Sequence, residues 1–545
     1  MRSTAAPANA ALLYQPEGFD TGREKLMGRH AASEGFLKGF ARHAGVETLY
    51  CYARRDGLAP FERQVAEAGS AARTVWLDAA DASAPRRAGT LHLPDPNLIA
   101  AAWRRRAIGQ CAYSITGVTH TTASAGAMDL IAGLLTAPLQ AWDALVCTST
   151  VVHDTVQRLL AQQQDYLASR LGATQFMRPQ LPVIPLGVDT AAFAGDDAAR
   201  RAGRHALGIG PEDVAVLFLG RLSFHGKAHL VQAGWFANEA IEQAMRGGAA
   251  ALCPSVQCHF LDGRRPQLRH LAWHAADLFS SLSDNIQETF GLTPIEAMAA
   301  GLPGVVSDWN GYRDTLRDGI DGLRVPTLMP RAGLGADLAD RHAAGVDSYD
   351  LYCGYCSQFV AVDIEAAAAA YQQLIGDAAL RRRMGDAARR RAIESFDWRT
   401  VIARYQALWQ ALGERRAAAG ESAALRAGQV PHPARMDPFL AFASYPSRAL
   451  AAEDIVAARP GAGMARLQAL LQMPLFGFMR GMAPPPPVCE QVFTTLQRRG
   501  ARSVAQLLTD LPEARREHGE RALVWLAKLG LLAIRPAPQR NADVG

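Results

Sequence analysis

An unbroken apolar run, Val214-Ala-Val-Leu-Phe-Leu219, constrains the fold of this chain more than any other feature. Such a run suits a β-strand buried on both faces, which occurs mainly in parallel sheets covered by helices. Similar short apolar runs alternate with helical patterns through most of the sequence, and this alternation is typical of α/β folds. The sequence therefore predicts parallel sheets with helices packed on their faces.

The candidate strands fall into two sets, separated by a Gly-, Asp- and Ala-rich stretch at residues 188–212 that reads as a linker. The first set is Ala11–Tyr14, Thr48–Tyr52, Thr90–Leu93, Tyr113–Thr116, Ala144–Cys147 and Val183–Leu186. The second set is Val214–Leu219, Val256–Leu261, Leu278–Ser280, Gly304–Ser307 and Gly322–Val325. We expect two lobes with a cleft between them, because ligands of open α/β sheets bind beyond the carboxyl ends of the strands.

At 545 residues the chain is too long for a single hydrophobic core. The apolar runs predict a first lobe at residues 1–205 and a second lobe at 206–385. Helices at 386–415 are expected to pack back on the lobes, since Val401, Tyr405, Leu408 and Leu412 make one apolar face. A linker at 416–435 and an appendage at 436–545 follow.

The appendage is predicted to be small and mainly helical. Beyond four prolines at 484–487, a stiff spacer, helical patterns cover Val488–Arg499, Ser503–Leu508 and Arg515–Leu529, and the apolar run Leu531–Ile534 follows. This order resembles a winged helix, for which DNA binding is one interpretation. The third helix offers few Arg, Asn or Gln side chains for reading bases, so a protein-interaction or dimer module is favoured and nucleic acid is not an expected partner.

Composition narrows the choice of partner and compartment. The 57 basic and 52 acidic residues give a net charge of +5, which is too mild to indicate nucleic acid or a membrane by itself. No long apolar run resembles a secretory signal or a membrane span, so we expect a cytoplasmic protein. Two triple-arginine runs, at 381–383 and 389–391, fit a solvated helix face, with peripheral contact at the inner face of the membrane as the alternative.

The eight cysteines are scattered and do not form the disulfide framework of a secreted domain. Cys353 and Cys356 have redox-motif spacing, but they follow a Gly- and Asp-rich stretch rather than a strand that leads into a helix. No second cysteine pair lies nearby to complete a zinc site. We interpret the two residues as reduced thiols in a loop.

The strongest ligand-binding signal lies at residues 284–302. Glu288 and Glu296 stand on either side of a glycine turn that opens a short helix. Backbone amides at a helix start bind phosphate well, and carboxylates beside them can bind sugar hydroxyls. The free amides here are those of Gly291, Leu292 and Thr293. The combination fits a nucleotide-sugar site.

A plainer interpretation of the same stretch remains open. Thr293-Pro-Ile-Glu296 also has the pattern of a capping box with proline at the first helical position. In that case Glu296 would only cap its own helix. Glu288 has no capping role, so a carboxylate at that position favours function.

A second element supplies positive charge. The apolar run that ends at Leu219 is followed by Gly220-Arg221-Leu222, and Lys227 follows. A glycine at a strand end lets the backbone approach a ligand closely, and Arg221 with Lys227 could face two phosphates.

Together these motifs resemble family 4 of the retaining glycosyltransferases, which have the GT-B architecture of two Rossmann-like lobes facing a cleft. The resemblance covers roughly residues 10–412. The matching segments are Cys147–Ser149, Val183–Asp189, Gly220–Leu222 with Lys227, Glu288–Pro303, Gly311, Gly319–Leu323 and Phe396–Trp398.

The resemblance implies a role for each matching residue. Glu288 would touch the donor sugar near its reacting face, and Glu296 would hold the ribose hydroxyls. Arg221 and Lys227 would neutralise the departing diphosphate in place of a metal, so neither a metal nor another cofactor is expected. The amides of Phe290, Gly291 and Leu292 would bind sugar hydroxyls or phosphate, with Thr293 in the same donor-binding set.

The first lobe carries two further candidates. His120 resembles a first-lobe histidine that faces the donor sugar, and it follows a predicted strand, although a lone histidine there is more often structural. The usual glycine-rich loop after the first strand is not evident, and Leu26-Met-Gly28-Arg29 is the candidate substitute for an acceptor or phosphate loop.

The predicted function is a retaining glycosyltransferase that moves a sugar from a nucleotide-diphosphate sugar to a glycan or lipid-linked acceptor. One alternative is a binding or regulatory protein that senses a nucleotide sugar and uses its winged-helix-like tail to bind a partner. Another is a phosphorylase on the same two-lobe fold, for which no lysine can be nominated to bind a pyridoxal cofactor.

Overall fold

The computed structural model describes residues 8–20, 28–219, 229–234, 236, 239–252, 254–420, 430–474, 482–516 and 518–537. The chain divides into two compact units, Met1–His432 and Pro433–Gly545. The first unit contains both large sheets and the candidate site.

The first sheet has six parallel strands in the order β3-β2-β1-β4-β5-β6. The strands are β1 (Ala11–Leu13), β2 (Thr48–Ala53), β3 (Arg73–Asp78), β4 (Thr90–His92), β5 (Ser114–Val118) and β6 (Ala144–Val146). The helices of this lobe are α1 (Pro16–Phe19), α2 (Gly28–His43), α3 (Leu58–Glu67), α4 (Leu98–Ile108), α5 (Ala125–Gly133) and α6 (Thr150–Leu171). The strand order reverses between β1 and β4, which opens a crevice beyond their carboxyl ends.

The second sheet also has six parallel strands, in the order β12-β11-β10-β7-β8-β9. The strands are β7 (Ala215–Leu219), β8 (His229–Gly234), β9 (Cys258–Asp262), β10 (Leu278–Ser281), β11 (Gly304–Ser307) and β12 (Gly322–Val325). Its helices are α7 (Asp197–Leu207), α8 (Glu239–Leu252), α9 (Pro266–Ala275), α10 (Leu292–Ala299) and α11 (Tyr312–Thr315). The prediction of two parallel, helix-covered sheets is confirmed.

Several details of the predicted strand sets are wrong. Strands β3 and β8 were not predicted, because β3 mixes arginine and aspartate with apolar residues and β8 carries the buried polar side chain of Gln232. Val183–Leu186 is not a strand, since only Val183 forms a bridge, to Cys147. The stretch at 188–212 is not all linker, because it contains α7.

Residues 327–362, which we call the β13–β14 segment, leave the second sheet after β12. The antiparallel strands β13 (Thr327–Leu328) and β14 (Ala361–Val362) close its base, and α12 (Ala336–Ala343) and α13 (Tyr349–Ser357) lie between them. Cys353 and Cys356 therefore lie on a helix, and their placement in a loop was wrong. Neither forms a disulfide, and burial raises the pKa of both thiols, which favours the unreactive protonated form.

The last helices of the first unit are α14 (Ile364–Gly376), α15 (Ala378–Arg391) and α16 (Trp398–Ala419), with one π-helical turn at Ala392–Phe396. Helix α16 buries Trp398, Tyr405 and Trp409 in the core of the first lobe, against Phe36 and Phe40 of α2. The chain thus returns from the second lobe to complete the first.

One of the two arginine runs is partly used inside the fold. The Arg391 guanidinium donates to the main-chain oxygens of Asp314 at 2.7 Å and Thr315 at 2.9 Å, which ties α15 to α11. Among the helices in the described part of the chain, none has the length and apolar character needed to cross a bilayer.

The second unit has its own core, which includes Val456, Phe493 and Leu523. Its elements are α17 (Pro438–Ala441), β15 (Ile455–Ala458), α18 (Met464–Leu471), α19 (Pro486–Arg499), β16 (Arg502–Ser503), α20 (Val504–Thr509), α21 (Glu513–Arg516), α22 (Gly519–Lys528) and β17 (Leu532–Arg535). The predicted order of helices followed by a strand is present. The sequence analysis missed β15, which pairs antiparallel with both β16 and β17 and makes a three-stranded sheet.

Candidate active site

The turn between Glu288 and Glu296 begins α10 two residues earlier than the sequence indicated. Helix α10 starts at Leu292, and its N-cap is Gly291 with a φ of 81°. A Cβ at Gly291 would lie 2.3 Å from the Tyr312 ring, so both the backbone angle and the space require glycine. No side chain caps this helix, and Thr293 lies inside it. The capping-box interpretation is therefore wrong, and Glu296 is left without that structural role.

Glu288 folds its carboxylate back over the turn. Its Oε1 accepts hydrogen bonds from the backbone amides of Thr289 at 3.1 Å and Phe290 at 3.4 Å. Burial raises the pKa of Glu288, and these amides act in the opposite direction by favouring the ionised form. The amide of Phe290 is thus engaged by Glu288, whereas α10 leaves the amides of its first turn without partners inside the helix.

Residues that the sequence analysis did not select hold the turn in shape. Asn285 Oδ1 accepts from the backbone amides of Gln287 at 2.9 Å and Glu288 at 3.2 Å. Trp309 Nε1 donates to the Asn285 carbonyl at 2.8 Å, and the Asn310 side chain donates to the Glu288 carbonyl. The available signal was the position of Asn310 directly before Gly311, which is one of the residues that carry the family resemblance.

Gly311, which follows Asn310, allows this loop to approach the turn at Phe290 closely. A Cβ at Gly311 would lie 2.4 Å from the Cα of Phe290, so the two backbones touch. Asn310 has a φ of 47°, a left-handed conformation that asparagine tolerates better than most residues. The loop after β11 is thereby fixed against residues 288–296, which we call the donor turn.

Glu296 lies on α10, partly buried. Burial raises its pKa to about 7, while the Arg269 guanidinium of α9 acts to lower it. With a pKa of about 7, the Glu296 carboxyl group is partly ionised at neutral pH, and the ionised carboxylate can accept a hydrogen bond from a hydroxyl group. Arg269 was not predicted as part of the site, since no local sequence pattern in α9 links it to the donor turn.

His120 follows β5 and is held by one hydrogen bond. Its Nε2 lies 2.8 Å from the Pro94 carbonyl, and because a carbonyl only accepts, Nε2 carries the proton. Burial lowers the pKa of His120 to about 4, so the ring is neutral at pH 7 and its Nδ1 is an acceptor. His120 and the buried His92 line one apolar pocket beside β1.

The two lobes meet at Thr289. Its hydroxyl donates to the His120 carbonyl at 3.0 Å, and its own carbonyl accepts from the Ser149 hydroxyl at 2.8 Å. Thr289 and Ser149 are both buried. Ser149 also caps α6 by accepting from the Val152 amide at 3.2 Å. The loop between β5 and α5, residues 119–124, contains His120, and we call it the histidine loop. The structure thus brings the donor turn and the histidine loop together.

The other predicted residues divide into three groups. Leu292 and Thr293 occupy the first turn of α10, as expected for groups whose amides could face a ligand. Gly28, predicted to lie in a loop, is the exposed first residue of α2. Arg221 and Lys227 lie outside the described residues. Within the part of the chain that the structure describes, no cluster of three or more His, Cys, Asp or Glu side chains could hold a metal ion.

Comparison with known proteins addresses the family. Residues 207–331, which include the donor turn, match the sequence profile of "Glycosyl transferases group 1". This segment belongs to the glycosyl transferases group 1 family. This confirms the resemblance predicted from the motifs.

Two similar proteins are both named D-inositol 3-phosphate glycosyltransferase. The protein from Xylanimonas cellulosilytica is 33% identical over 230 residues, which is 37% of this chain and 52% of that protein. The protein from Nocardia farcinica is 31% identical over 191 residues, or 30% of this chain and 41% of that protein. The chain therefore spans about half the length of these relatives.

Solved structures are more distant. Anabaena Alr3699/HepE in complex with UDP and glucose is 12% identical, with a TM-score of 0.46 over 74% of this chain and 99% of that one. Sucrose-phosphate synthase from Thermosynechococcus elongatus is 16% identical, with a TM-score of 0.46 over the same shares.

Proposed function

We propose that this group 1 family member is a retaining glycosyltransferase that transfers a sugar from a nucleotide-diphosphate sugar to a glycan or lipid-linked acceptor. The observation that carries the proposal is the hydrogen bond from Thr289 to the His120 carbonyl, which joins the donor turn of one lobe to the histidine loop of the other. A donor held at α10 would therefore have first-lobe groups beside its sugar.

The donor turn offers the groups that a nucleotide sugar needs. The start of α10 presents backbone amides and the positive end of a helix dipole, which favour a phosphate. Glu296 would accept hydrogen bonds from the ribose hydroxyls. We further propose that Arg221 and Lys227 stabilise the negative charge that develops on the departing diphosphate.

The sugar would lie between Glu288 and His120. A neutral His120 with Nδ1 as acceptor can bind a sugar hydroxyl without placing a positive charge beside the developing cationic sugar. The Glu288 carboxylate would stabilise that charge. The diphosphate would leave and the acceptor hydroxyl would attack on the same face of the sugar, so the anomeric configuration would be retained.

Ligand-induced stabilisation is the first test, because a ligand that binds the folded state raises its apparent stability. Thermal shifts with UDP-glucose, GDP-mannose and ADP-glucose should show stabilisation by donors of one base. Transfer of labelled sugar to a panel that includes D-inositol 3-phosphate, glycans and lipid-linked glycans would then define the acceptor. Absence of both stabilisation and donor turnover across the panel would contradict the proposal.

Substitution at the site is the second test. Glu288→Ala should lower donor turnover by about 100-fold or more, and Lys227→Ala should also lower it strongly, because both remove transition-state electrostatics. Glu365→Gln, an exposed glutamate in the first turn of α14, is the matched control and should leave turnover unchanged. Full turnover in the Glu288 and Lys227 variants would count decisively against the mechanism.

We also propose that the second unit is a winged-helix-like binding module, as the order of α19, α20, α22 and β17 supports. DNA binding by the full chain that weakens steeply with salt would favour a regulatory role for this unit. Donor turnover without DNA binding would favour a protein-interaction role.

A further inference from the structure

The base of the β13–β14 segment is anchored to the loop that supports the donor turn. The Thr327 hydroxyl donates to the Asp308 carbonyl at 3.0 Å. Asp308 is followed by Trp309 and Asn310, whose side chains hold the donor turn through Asn285 and Glu288. The segment therefore starts beside the site rather than at a remote edge of the lobe.

The far part of the segment reaches the first lobe. On α13, the Tyr349 hydroxyl lies 3.4 Å from the Thr121 hydroxyl, a long hydrogen bond. Thr121 directly follows His120, and its Oγ1 also accepts from the Ala123 amide at 3.3 Å. Adjacent residues of the histidine loop thus contact two different parts of the second lobe, His120 through Thr289 and Thr121 through Tyr349.

The packing of α13 distinguishes an inner face from an outer one. Tyr349 is half-buried and Cys353, one turn later, is buried, whereas Leu351 and Tyr355 are exposed. The inner face is therefore the one that lies against the histidine loop. One end of this arrangement thus lies beside the residues that support Glu288, and the other lies beside His120.

We propose that the β13–β14 segment covers the acceptor side of the cleft and keeps water from the donor sugar, with Tyr349 as the positioning residue that holds it against Thr121. This inference rests on the proposed function. In this proposal the β13–β14 segment determines how often the sugar is transferred to the acceptor rather than to water. The donor turn alone determines how tightly the nucleotide sugar binds.

Hydrolysis is the reaction that the cover would suppress. A water oxygen forms a bond to the anomeric carbon, and the bond from that carbon to the β-phosphate oxygen breaks. The electron pair leaves on the nucleoside diphosphate, and the proton of the water passes to solvent. Excluding water from a site is a general means of preventing such side reactions.

The experiment measures donor hydrolysis without acceptor, using whichever of UDP-glucose, GDP-mannose and ADP-glucose gives the largest thermal shift. Tyr349→Phe and Thr121→Val should each raise hydrolysis by about two- to tenfold, as expected for loss of one hydrogen bond. The double variant should match Thr121→Val, because the Tyr349 hydroxyl has no bond to Thr121 left to lose once the Thr121 hydroxyl is gone. Tyr355→Phe, the same change on the exposed face of α13, should leave hydrolysis unchanged.

Excision gives a larger change. Leu328 pairs with Ala361, so an Asn-Gly turn can replace residues 329–360 and close the hairpin. This variant should hydrolyse the donor about tenfold faster or more, with an unchanged thermal shift. If it does not fold, the Tyr349 and Thr121 variants decide the question.

The failures are distinguishable. Unchanged or slower hydrolysis in the Tyr349→Phe and Thr121→Val variants would overturn the cover, and so would loss of donor stabilisation in either. A wild-type chain that neither binds nor hydrolyses any donor would instead overturn the proposed function.

Discussion

The Thr289 hydroxyl donates a hydrogen bond to the main-chain carbonyl of His120 at 3.0 Å, across the cleft between the lobes. Thr289→Val keeps the shape of this buried side chain but removes the bond. We expect a loss of about 1 kcal/mol in unfolding free energy, and a loss of about tenfold or more in donor turnover because the histidine loop is no longer fixed to the donor turn. Urea unfolding and a turnover assay would measure the two effects.

Thr136→Val provides the control for that experiment. Its exposed hydroxyl donates to the Gly133 carbonyl at 3.1 Å, a local bond between residues three positions apart that does not involve the site. Turnover should be unchanged in this variant. Wild-type turnover in Thr289→Val would contradict a functional role for the contact.

Glu296 should make stability depend on pH in a direction unusual for an acid. Its folded pKa of about 7 lies above its ordinary value of 4.5, so the folded state holds the proton more tightly. This contribution to stability is complete below about pH 4.5 and is lost as pH rises through 7. The unfolding free energy of the wild type relative to Glu296→Gln should therefore fall by about 2–3 kcal/mol between pH 4.5 and 8.

Parallel denaturation curves of the two proteins across this pH range would measure that difference, since the remaining titrating groups are common to both. A difference that stays constant, or rises with pH, would show that Glu296 is not held as the structure indicates.

Gly187 has no room for a side chain. A Cβ there would lie 2.5 Å from the Trp398 ring, which is buried between Gly187 and α2. Gly187→Ala should cost about 1–3 kcal/mol, because the indole must shift inside a packed core. Gly413→Ala, in the same helix as Trp398 and with open space around its Cβ position, should be neutral or stabilising by about 0.5–1 kcal/mol. Equal effects of the two substitutions would contradict the packing.

Arg105 and Asp143 form a completely buried ion pair with N–O distances of 2.5 and 2.7 Å. Asp143 also accepts from the amides of Ile115 and Gln140. Asp143→Ala should destabilise the first unit by about 3–5 kcal/mol, because the Arg105 charge is left buried without its partner.

Chemical denaturation would measure this loss. Glu242→Ala breaks the exposed pair with Arg246, at 2.8 Å, and should cost less than about 1 kcal/mol. A small effect at Asp143 would mean that water reaches Arg105.

The sequence predicted the parts of the fold that are encoded locally. Buried strands such as β7 and β11 are short apolar runs, and the glycine turn before α10 is visible in one stretch of residues. The half-exposed strand β3 escaped because the exposed charged residues Arg73 and Asp78 stand at its two ends and only Leu77 is buried. The capping-box error has a similar origin, since Thr293 and Glu296 have the right spacing while the conformation of Gly291 starts the helix earlier.

Contacts between distant segments were beyond local reasoning. Ser149 and Thr289 are 140 positions apart, and Thr121 and Tyr349 are 228 apart. Each residue alone is an ordinary hydroxyl, and only the folded chain shows that these hydroxyls surround the histidine loop. Arg269 is a similar case, because its electrostatic effect on Glu296 depends on where the fold places α9 relative to α10.

Helix α16 has a consequence for how the chain is made. Because Trp398, Tyr405 and Trp409 fill the core that α2 and the first sheet enclose, that core stays open until these residues leave the ribosome. The first lobe therefore cannot complete its core while the second sheet is being translated. Synthesis of this protein therefore favours late, concerted closure of the two lobes over folding from the amino terminus onward.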